Sequence, residues 1–302
     1  MPYENFFSLV GNTPVVSYVS TEIGAARIFI KIEGQNPTGS VKDRACIYNI
    51  NGAIKDEKLS HGDTILDASS GNMACSLAYF GAILGYSVEV VCSSKLTEDK
   101  ASFIRYFGAK MHRLGDFTIE GNRYCREVLM LKHPKKYSFL DQLHNWNNPK
   151  AHYETTGPEI IREFPNVSAV VGSLGSGGTL NGVARYIKQN NPSTKIVSVE
   201  SESGTKIPGT GAFLDGDYVT PFIHQLQDEN LVDKKVKINL INATKRIFSL
   251  RDQGFFCGLQ TGAVVEAAVH FISENDITGD VVVISGDAGW KNMDKLGSMC
   301  FP

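Results

Sequence analysis

The sequence predicts an α/β fold, and three patterns along the chain indicate it. Short continuous runs of apolar, β-branched residues recur, as in VVVIS at 281–285. Stretches with helical periodicity separate these runs. Glycine-rich or hydroxyl-rich loops come between several runs and the helices that follow them. Short apolar strands alternating with helices are typical of a mostly parallel sheet covered by helices on both faces.

The elements of this alternation are predicted in chain order from composition and period. Strands are predicted where apolar, β-branched residues dominate a short run, at 26–33, 63–69, 86–94, 195–202 and 280–289. Helices are predicted where apolar residues recur with helical spacing, at 72–85, 98–109 and 262–274. A strand, a glycine-rich loop and a helix follow one another at 168–189. No repeat or low-complexity linker marks a domain boundary.

Length and composition limit the class of protein. The 302 residues correspond to roughly two domains. A net charge of -2 and no basic stripe argue against a nucleic-acid partner. No apolar run approaches the roughly 18 residues of a membrane helix, and the N-terminus lacks a signal-peptide pattern. The six cysteines are scattered and the seven histidines lack metal-ligand spacing. We therefore expect a cytoplasmic protein with reduced thiols, no membrane association and no metal.

The run GSLGSGGTLNG at 172–182 predicts a phosphate site. It lies between a strand and a helix, where backbone N–H groups can surround an anion, and its hydroxyl groups add donors. No Gly-Lys-Ser/Thr sequence follows and no lysine serves a terminal phosphate, so one phosphate group is predicted. A tight turn is the alternative, although a turn does not require this composition. The residues predicted to bind are Gly175, Ser176, Gly177, Gly178 and Thr179.

A second loop, ASSGNMA at 68–74, precedes the helix predicted at 72–85. Ser69, Ser70 and Asn72 offer hydrogen-bond donors, and the start of a helix favours an anion. Simple capping of the helix explains the same residues, so the loop alone leaves both interpretations open.

Lys42 follows the turn-rich run NPTGS and precedes a helix-like run. A solvated surface lysine is the ordinary explanation. A lysine can instead form a Schiff base when its surroundings supply the free amine. A phosphate cradle, a second anion site and such a lysine together indicate pyridoxal 5′-phosphate with an amino-acid substrate. In that hypothesis, the second anion site takes the substrate carboxylate.

Several long motifs resemble one family in order and spacing. They are NPTGSVKDRA, SSGN, NNPKAHYETTGPEI, GSGGTLNGVARYIK and GFFCGLQTGAVVEAA. From residue 9 to residue 290, the chain resembles the cysteine synthase family, which is the O-acetylserine sulfhydrylase and cystathionine β-synthase group of fold-type-II pyridoxal phosphate enzymes. The run DAGWKN is most similar to the branch whose members can use O-phosphoserine.

The resemblance implies a fold and an activity. It implies two domains, each with a mostly parallel sheet flanked by helices, and a homodimer. Residues 1–44 and 138–302 would form a large cofactor-binding domain, and residues 45–137 a small mobile domain. The implied reaction is β-replacement on O-acetylserine or O-phosphoserine through an aminoacrylate, with sulfide, a thiol or an amine as nucleophile. The product would be L-cysteine or a related β-substituted alanine.

The resemblance also implies roles for individual residues. Lys42 would form the internal aldimine and later act as general acid and base. Asn72 would bind the 3′-oxygen of the cofactor, and Gln260 would face its pyridine nitrogen. The glycine-rich run would hold the phosphate. The implied substrate-binding residues are Ser69, Ser70, Met73, Gln142, Gly209 and Thr210.

The chain departs from the family pattern at three positions. Met73 replaces a usual threonine and so removes a hydroxyl from the carboxylate loop. Gln260 replaces a usual serine, but its amide still carries two donors, and Thr261 is the fallback partner. A neutral partner leaves the pyridine a weak electron sink, which suits β-elimination and disfavours transamination. Asp287 replaces a usual serine and either contacts the nucleophile or stabilises a loop.

The sequence leaves two further functions open. A serine or threonine deaminase would use the same cofactor and release the intermediate, which hydrolyses to a 2-oxo acid such as pyruvate, although the NPTGSVKDR motif differs from the lysine context of deaminases. A catalytically altered regulatory protein would keep the fold and the cofactor. Only Met73 and Gln260 support that alternative, whereas Lys42, Asn72 and Thr179 argue against it.

Overall fold

The computed structural model describes residues 5–69 and 71–299, without the side chain of residue 299. Within these ranges the strands are β1 (Val15–Tyr18), β2 (Arg27–Ile32), β3 (Thr64–Ser69), β4 (Ser87–Cys92), β5 (Lys110–Arg113), β6 (Tyr137–Phe139), β7 (Ala169–Ser173), β8 (Lys195–Ser201), β9 (Lys234–Ile238) and β10 (Asp280–Ser285).

The helices in the described ranges are α1 (Lys42–Lys55), α2 (Asn72–Ile83), α3 (Glu98–Tyr106), α4 (Thr118–Tyr124), α5 (Met130–Lys132), α6 (Asn147–Ala151), α7 (Gly157–Glu163), α8 (Gly178–Asn190), α9 (Pro221–Asp228), α10 (Leu240–Asp252), α11 (Leu259–Glu274) and α12 (Met293–Met299). Two π-helical turns join neighbouring helices, at Cys125–Leu129 and His152–Thr156. Short 3₁₀ turns occur at Phe6–Leu9, Glu33–Gln35, Phe213–Asp215 and Gly289–Asn292.

The chain divides into two compact units. Unit 1 contains the described residues up to Val41 and from Pro149 onward, and unit 2 contains Lys42–Asn148. Each unit is built on its own sheet, and helices follow most of the strands. The predicted α/β class with mostly parallel sheets is confirmed.

Unit 1 contains a six-stranded sheet in the order β1-β2-β10-β7-β8-β9. All pairs are parallel except β1 with β2 at one edge. Alternate residues of each strand face opposite sides. Val171 and Val197 pack with residues of α10 and α11, whereas Val170 and Ile196 pack on the other side with residues of α8 and α9. Apolar burial on both faces explains the continuous apolar runs in the sequence.

Unit 2 contains a four-stranded parallel sheet in the order β5-β4-β3-β6. All six residues of the inner strand β3 are buried. This strand ends at Ser69, and α2 begins three residues later at Asn72. The carboxyl end of β3 therefore meets the start of a helix, which is where open α/β sheets bind ligands.

The described cysteines are all buried free thiols. Burial raises the pKa of Cys92 and of Cys257 to about 12, so both remain protonated at neutral pH. Within residues 5–69 and 71–299 no cluster of three or more His, Cys, Asp or Glu residues could ligate a metal. No helix in this part of the chain has the length and apolar character needed to cross a membrane.

Glu89 on β4 connects three strands of unit 2. One carboxylate oxygen pairs with Lys136 Nζ next to β6, and the other accepts from Tyr137 Oη at 3.1 Å and lies 2.9 Å from His112 Nε2 on β5. Burial disfavours the charge, but hydrogen bonds from Lys136, His112 and Tyr137 outweigh it and lower the pKa of Glu89 to about 2. Folding therefore stabilises the ionised form of Glu89 relative to the protonated form.

Replacing Glu89 by glutamine is expected to lower the free energy of unfolding by about 1.5–3 kcal/mol at pH 7, because charge-assisted hydrogen bonds are lost. A depressed pKa stabilises the fold at pH values above the pKa that Glu89 has in the unfolded state. This contribution disappears as the pH falls toward about 2. Denaturant unfolding from pH 7 to pH 3 measures both effects. The control is Glu98→Gln, which removes exposed ion pairs with Arg105 and Arg113. Equal stability of the two variants would contradict the prediction.

Candidate active site

The glycine loop, residues 175–179, leads from β7 into α8 in unit 1. It lies at the carboxyl end of a parallel strand with neighbours on both sides. Gly177 has φ +85° and immediately precedes the helix. The first N–H groups of a helix have no intrahelical acceptor, so the start of α8 presents donors to an anion.

Close packing leaves no room for a side chain at two glycines of this loop. A Cβ atom on Gly175 would lie 3.1 Å from the carbonyl oxygen of Gly209, and one on Gly177 would lie 2.6 Å from Ile223 Cγ1. The left-handed conformation of Gly177 adds a second reason for glycine. The backbone can therefore approach a ligand closely, as the sequence predicted for this run.

The hydroxyl groups of the loop fit a phosphate. Ser176 Oγ is buried and forms no hydrogen bond with any residue that the structure describes. Thr179 Oγ1 lies 3.2 Å from His152 Nε2, whose ring is held at Nδ1 by Thr156 Oγ1 at 2.9 Å. An unsatisfied buried hydroxyl is unfavourable unless a ligand completes its hydrogen bonds. The residues present therefore fit a bound phosphate group.

Gln260 lies in unit 1 with both ends of its amide engaged. Its Oε1 accepts from the backbone N–H of Gly286 at 2.7 Å, and its Nε2 donates to Ser173 Oγ at the end of β7. A backbone N–H can only donate, so it fixes the orientation of the amide. One N–H of Gln260 remains for another acceptor. The fallback residue Thr261 is fully buried and shares a hydrogen bond of 2.7 Å with Ser285.

The predicted residues Gly209 and Thr210 lie beside the glycine loop. A Cβ atom on Gly209 would contact the side chain of Gln260 at 3.5 Å. Thr210 is 4% exposed, and its Oγ1 is buried without a hydrogen-bond partner among the described residues. Unit 1 thus brings the glycine loop, Gly209, Thr210 and Gln260 into one cluster.

Asp287 makes contacts that stabilise the loop after β10. Its carbonyl oxygen accepts from the N–H of Gly258 at 3.0 Å, and its Oδ2 accepts from Asn292 Nδ2 at 3.2 Å. Its backbone also forms an isolated bridge with Ser40. These contacts favour the loop-stabilising alternative for this residue.

Lys42 and Asn72 stand at the starts of two helices in unit 2. Lys42 is the first residue of α1, and Asn72 is the first residue of α2. Asp43 Oδ1 accepts from Ser76 Oγ at 2.6 Å, and the same hydroxyl lies 3.1 Å from the carbonyl oxygen of Asn72. Through Ser76, these bonds connect Asp43, the residue after Lys42, to the start of α2.

Ser69 is oriented by two backbone donors. Its Oγ accepts from the N–H groups of Gly71 and Ala74 at 3.0 and 3.1 Å. Since both lone pairs are used, its proton remains available for donation to an anion. The side chain of Met73 is 1% exposed and contributes apolar packing, so its first-turn N–H is the group suited to an anion. Ser70, also predicted to bind substrate, lies outside the described residues.

Gln142 is placed next to Ser69 by the end of β3. Its Nε2 donates to the carbonyl oxygen of Ala68, and its backbone N–H donates to Asp67 Oδ2 at 3.2 Å. Burial and then the charge of Asp141 hold the pKa of Asp67 well above its usual range. Asp67 was not among the residues predicted from the sequence. An aspartate inside an otherwise apolar strand was the signal that could have identified it.

The chain matches the family model described as pyridoxal-phosphate dependent enzyme over residues 6–286. It is 32% identical over 282 residues to cysteine synthase B of Escherichia coli strain K12, covering 91% of this chain and 89% of that protein. A solved structure of a hydrogen sulfide-producing enzyme from Fusobacterium nucleatum is similar at TM-score 0.87 and 30% identity, covering 96% of this chain and 99% of that one. The O-acetylserine dependent cystathionine β-synthase of Helicobacter pylori gives TM-score 0.87 at 26% identity, covering 98% of both chains.

Proposed function

The chain belongs to the family of pyridoxal-phosphate-dependent enzymes, and we propose that it catalyses β-replacement on an O-activated L-serine. O-acetylserine is the proposed donor, and sulfide or a thiol is the proposed nucleophile. The product is L-cysteine or a related β-substituted alanine, which places the enzyme in amino-acid biosynthesis as a transferase. Cysteine synthases at 30–32% identity over most of the chain support this activity. O-phosphoserine is the second donor to test.

One observation carries the proposal. Within unit 2, the hydrogen bond between Asp43 and Ser76 joins the turn that bears Lys42 to the start of α2. The backbone that bears the Lys42 amine is thereby joined to a helix terminus suited to a carboxylate. An amino-acid substrate needs both groups, because its carboxylate must be anchored while its amine exchanges with the lysine.

The proposed roles follow from the chemistry of each side chain. Bound pyridoxal phosphate supplies an electron sink that stabilises negative charge at the substrate Cα, so that the group on Cβ can leave. Lys42 Nζ would hold the cofactor aldehyde, and the same amine would take and return the Cα proton of the substrate. Ser176 and Thr179 bind the phosphate. Asn72 binds the 3′-oxygen, and the remaining N–H of Gln260 serves the pyridine nitrogen.

The substrate carboxylate is assigned to unit 2. The proton of Ser69 and the first N–H groups of α2 are suited to bind it, and Gln142 adds an amide beside them. Asp67 positions Gln142 by accepting from its backbone N–H. Because Met73 offers no side-chain hydroxyl, this carboxylate site depends more strongly on Ser69 than on position 73.

Three further properties belong to the same proposal. The protein is proposed to act in the cytoplasm as a homodimer. Residues 45–137 are proposed to form the small domain that moves when substrate binds, and residues 1–44 and 138–302 the large domain. Gly209 and Thr210 are proposed to line the entrance for substrate.

A substrate panel tests the proposed function. The purified holoenzyme is incubated with O-acetylserine or O-phosphoserine, with and without sulfide. Product formation is followed by mass spectrometry and pyruvate by a coupled assay. We expect cysteine from O-acetylserine and sulfide, and much slower pyruvate release when sulfide is omitted, because a β-replacement enzyme adds a nucleophile at Cβ instead of releasing the eliminated product to water.

Two outcomes would favour the other functions. Release of pyruvate from serine, or of 2-oxobutyrate from threonine, that is unaffected by sulfide would indicate a deaminase. A cofactor-loaded protein that forms no product from either donor would indicate a regulatory protein. Omitting the cofactor is the control for non-enzymatic addition of sulfide.

A further inference from the structure

Unit 1 contains a partly open cavity of about 190 Å³ beside Leu174, the residue that precedes the glycine loop. Its apolar wall includes Leu174, Ile223 and Leu226, all of which are buried. Lys235 lies at its edge, where the residue is exposed. A protein cavity of about 150 Å³ is large enough for a benzene ring. This cavity therefore accommodates a small organic molecule.

Ser198 also lines this cavity and is fully buried. Its Oγ forms no hydrogen bond with any residue in the described part of the chain. The hydroxyl stands on the face of β8 shared with Ile196, which packs in an otherwise apolar cluster with α8 and α9. A buried hydroxyl without a partner is unfavourable, and a ligand that accepts its proton removes this penalty.

Ser198 and Lys235 are neighbours across two parallel strands. They are Cα partners in the register of β8 and β9, so their side chains lie on the same face of the sheet. A hydroxyl donor and an ammonium group on adjacent strands can bind one carboxylate together. The apolar body of the ligand then contacts Leu174, Ile223 and Leu226.

The walls of the cavity support the glycine loop directly. Leu174 precedes the loop, and its N–H donates to the carbonyl oxygen of Val199 at 2.9 Å. Ile223 is the residue that a Cβ atom on Gly177 would contact. A ligand in the cavity therefore contacts Leu174, which precedes the loop, and Ile223, which packs beside Gly177.

We propose that this cavity binds a small carboxylate with an apolar body about the size of a benzene ring. Binding of this ligand raises the affinity of the glycine loop for a phosphate. Occupancy restricts the movement of Ile223 and Leu174, so the loop keeps its binding conformation more often. Coupling between two sites is reciprocal, so bound cofactor also favours the carboxylate.

Benzoate is the probe for this proposal, and benzamide is its uncharged control. Saturation-transfer NMR on the holoenzyme measures the Kd of each. We expect benzoate to bind and benzamide to bind at least about tenfold more weakly, since the charge interaction with Lys235 is lost. Absence of benzoate binding at millimolar concentration would overturn the proposal.

Variants locate the site. Lys235→Gln is expected to raise the Kd of benzoate about tenfold. Lys237→Gln, two residues further along β9, is expected to leave this Kd unchanged. Ser198→Ala is expected to weaken the binding of benzoate, because a hydrogen-bond donor is lost. The same variant is expected to have a higher melting temperature, because the unsatisfied buried hydroxyl is removed. Equal effects of the two lysine variants would show that benzoate binds by surface charge alone and would overturn the site.

The coupling is measured separately from turnover. Apoenzyme is titrated with pyridoxal phosphate in the presence and absence of saturating benzoate. We expect the Kd of the cofactor to fall at least about fivefold with benzoate. An unchanged cofactor Kd at saturating benzoate would overturn the regulatory role. Neither readout requires catalysis, so failure here is distinguishable from failure of the proposed reaction.

Discussion

Replacing Lys42 by alanine is expected to lower the kcat of β-replacement by about 10³-fold or more. Proton transfer by a positioned side chain contributes about 10²–10⁴-fold, and the variant also loses the covalent attachment of the cofactor. Steady-state assays with O-acetylserine and sulfide measure the effect. Circular dichroism and the melting temperature check that the overall fold is retained, which is expected because alanine is a good helix former.

The matched control for this variant lies on the same helix. Lys55 is the last residue of α1 and is exposed, so Lys55→Ala removes an identical side chain far from the start of the helix. Its kcat should equal that of the unchanged protein. Added methylamine should restore part of the activity of the Lys42 variant by supplying a free amine. A Lys42→Ala kcat within about tenfold of the unchanged enzyme would contradict the role of this residue.

Replacing Gly177 by alanine is expected to raise the Kd of the cofactor at least about 30-fold. A left-handed conformation costs an alanine about 1–2 kcal/mol, and the contact with Ile223 Cγ1 adds overpacking of about 1–3 kcal/mol. The substituted loop relaxes to relieve both terms and must be forced back to bind phosphate. Two kilocalories correspond to roughly a 30-fold change in the binding constant. Titration of the apoenzyme, followed by the absorption of bound cofactor, measures the constant.

Gly254 supplies the control for Gly177. It has φ +86°, and a Cβ atom there meets no heavy atom within 4 Å. Gly254→Ala therefore carries the backbone strain without the contact, and it lies after α10 rather than in the glycine loop. Its cofactor Kd should be unchanged. Equal cofactor affinities of the two variants would show that the glycine loop is not the phosphate site.

The elements with long apolar runs could be predicted from the sequence. The strand expected at 63–69 is β3, Thr64–Ser69, and the helix expected at 98–109 begins at Glu98 as predicted and ends at Tyr106. Continuous β-branched residues are distinctive because they are buried on both faces. The helix expected at 262–274 begins earlier, at Leu259, because Gly258 rather than Gly262 precedes its first turn.

Other elements gave too weak a signal. The edge strand β1, Val15–Tyr18, is antiparallel and only partly buried, so it lacks a long apolar run. Strand β9, Lys234–Ile238, carries three lysines in five residues, which reads as a solvated loop in the sequence. Both are strands because a neighbouring strand satisfies their backbone groups, and that pairing is not encoded locally.

The candidate site likewise has a part that the sequence predicts and a part that only the structure shows. Glycines and hydroxyls at the end of a strand identify a phosphate loop, and Lys42 at a helix start is visible in the motif. The amide of Gln260, by contrast, is oriented by Gly286, and the hydroxyl of Ser198 has no partner among the described residues. These facts depend on contacts between residues distant in the chain, which composition and spacing do not specify.

Borohydride reduction of the cofactor-loaded protein tests the central claim most directly. Reduction converts a lysine–cofactor imine into a stable secondary amine, and peptide mass spectrometry locates it. We predict one pyridoxyl adduct, on the peptide that contains Lys42, and none on the buried lysines Lys31 and Lys291. An adduct on a different lysine, or an unmodified Lys42 in protein that retains bound cofactor, would contradict the account.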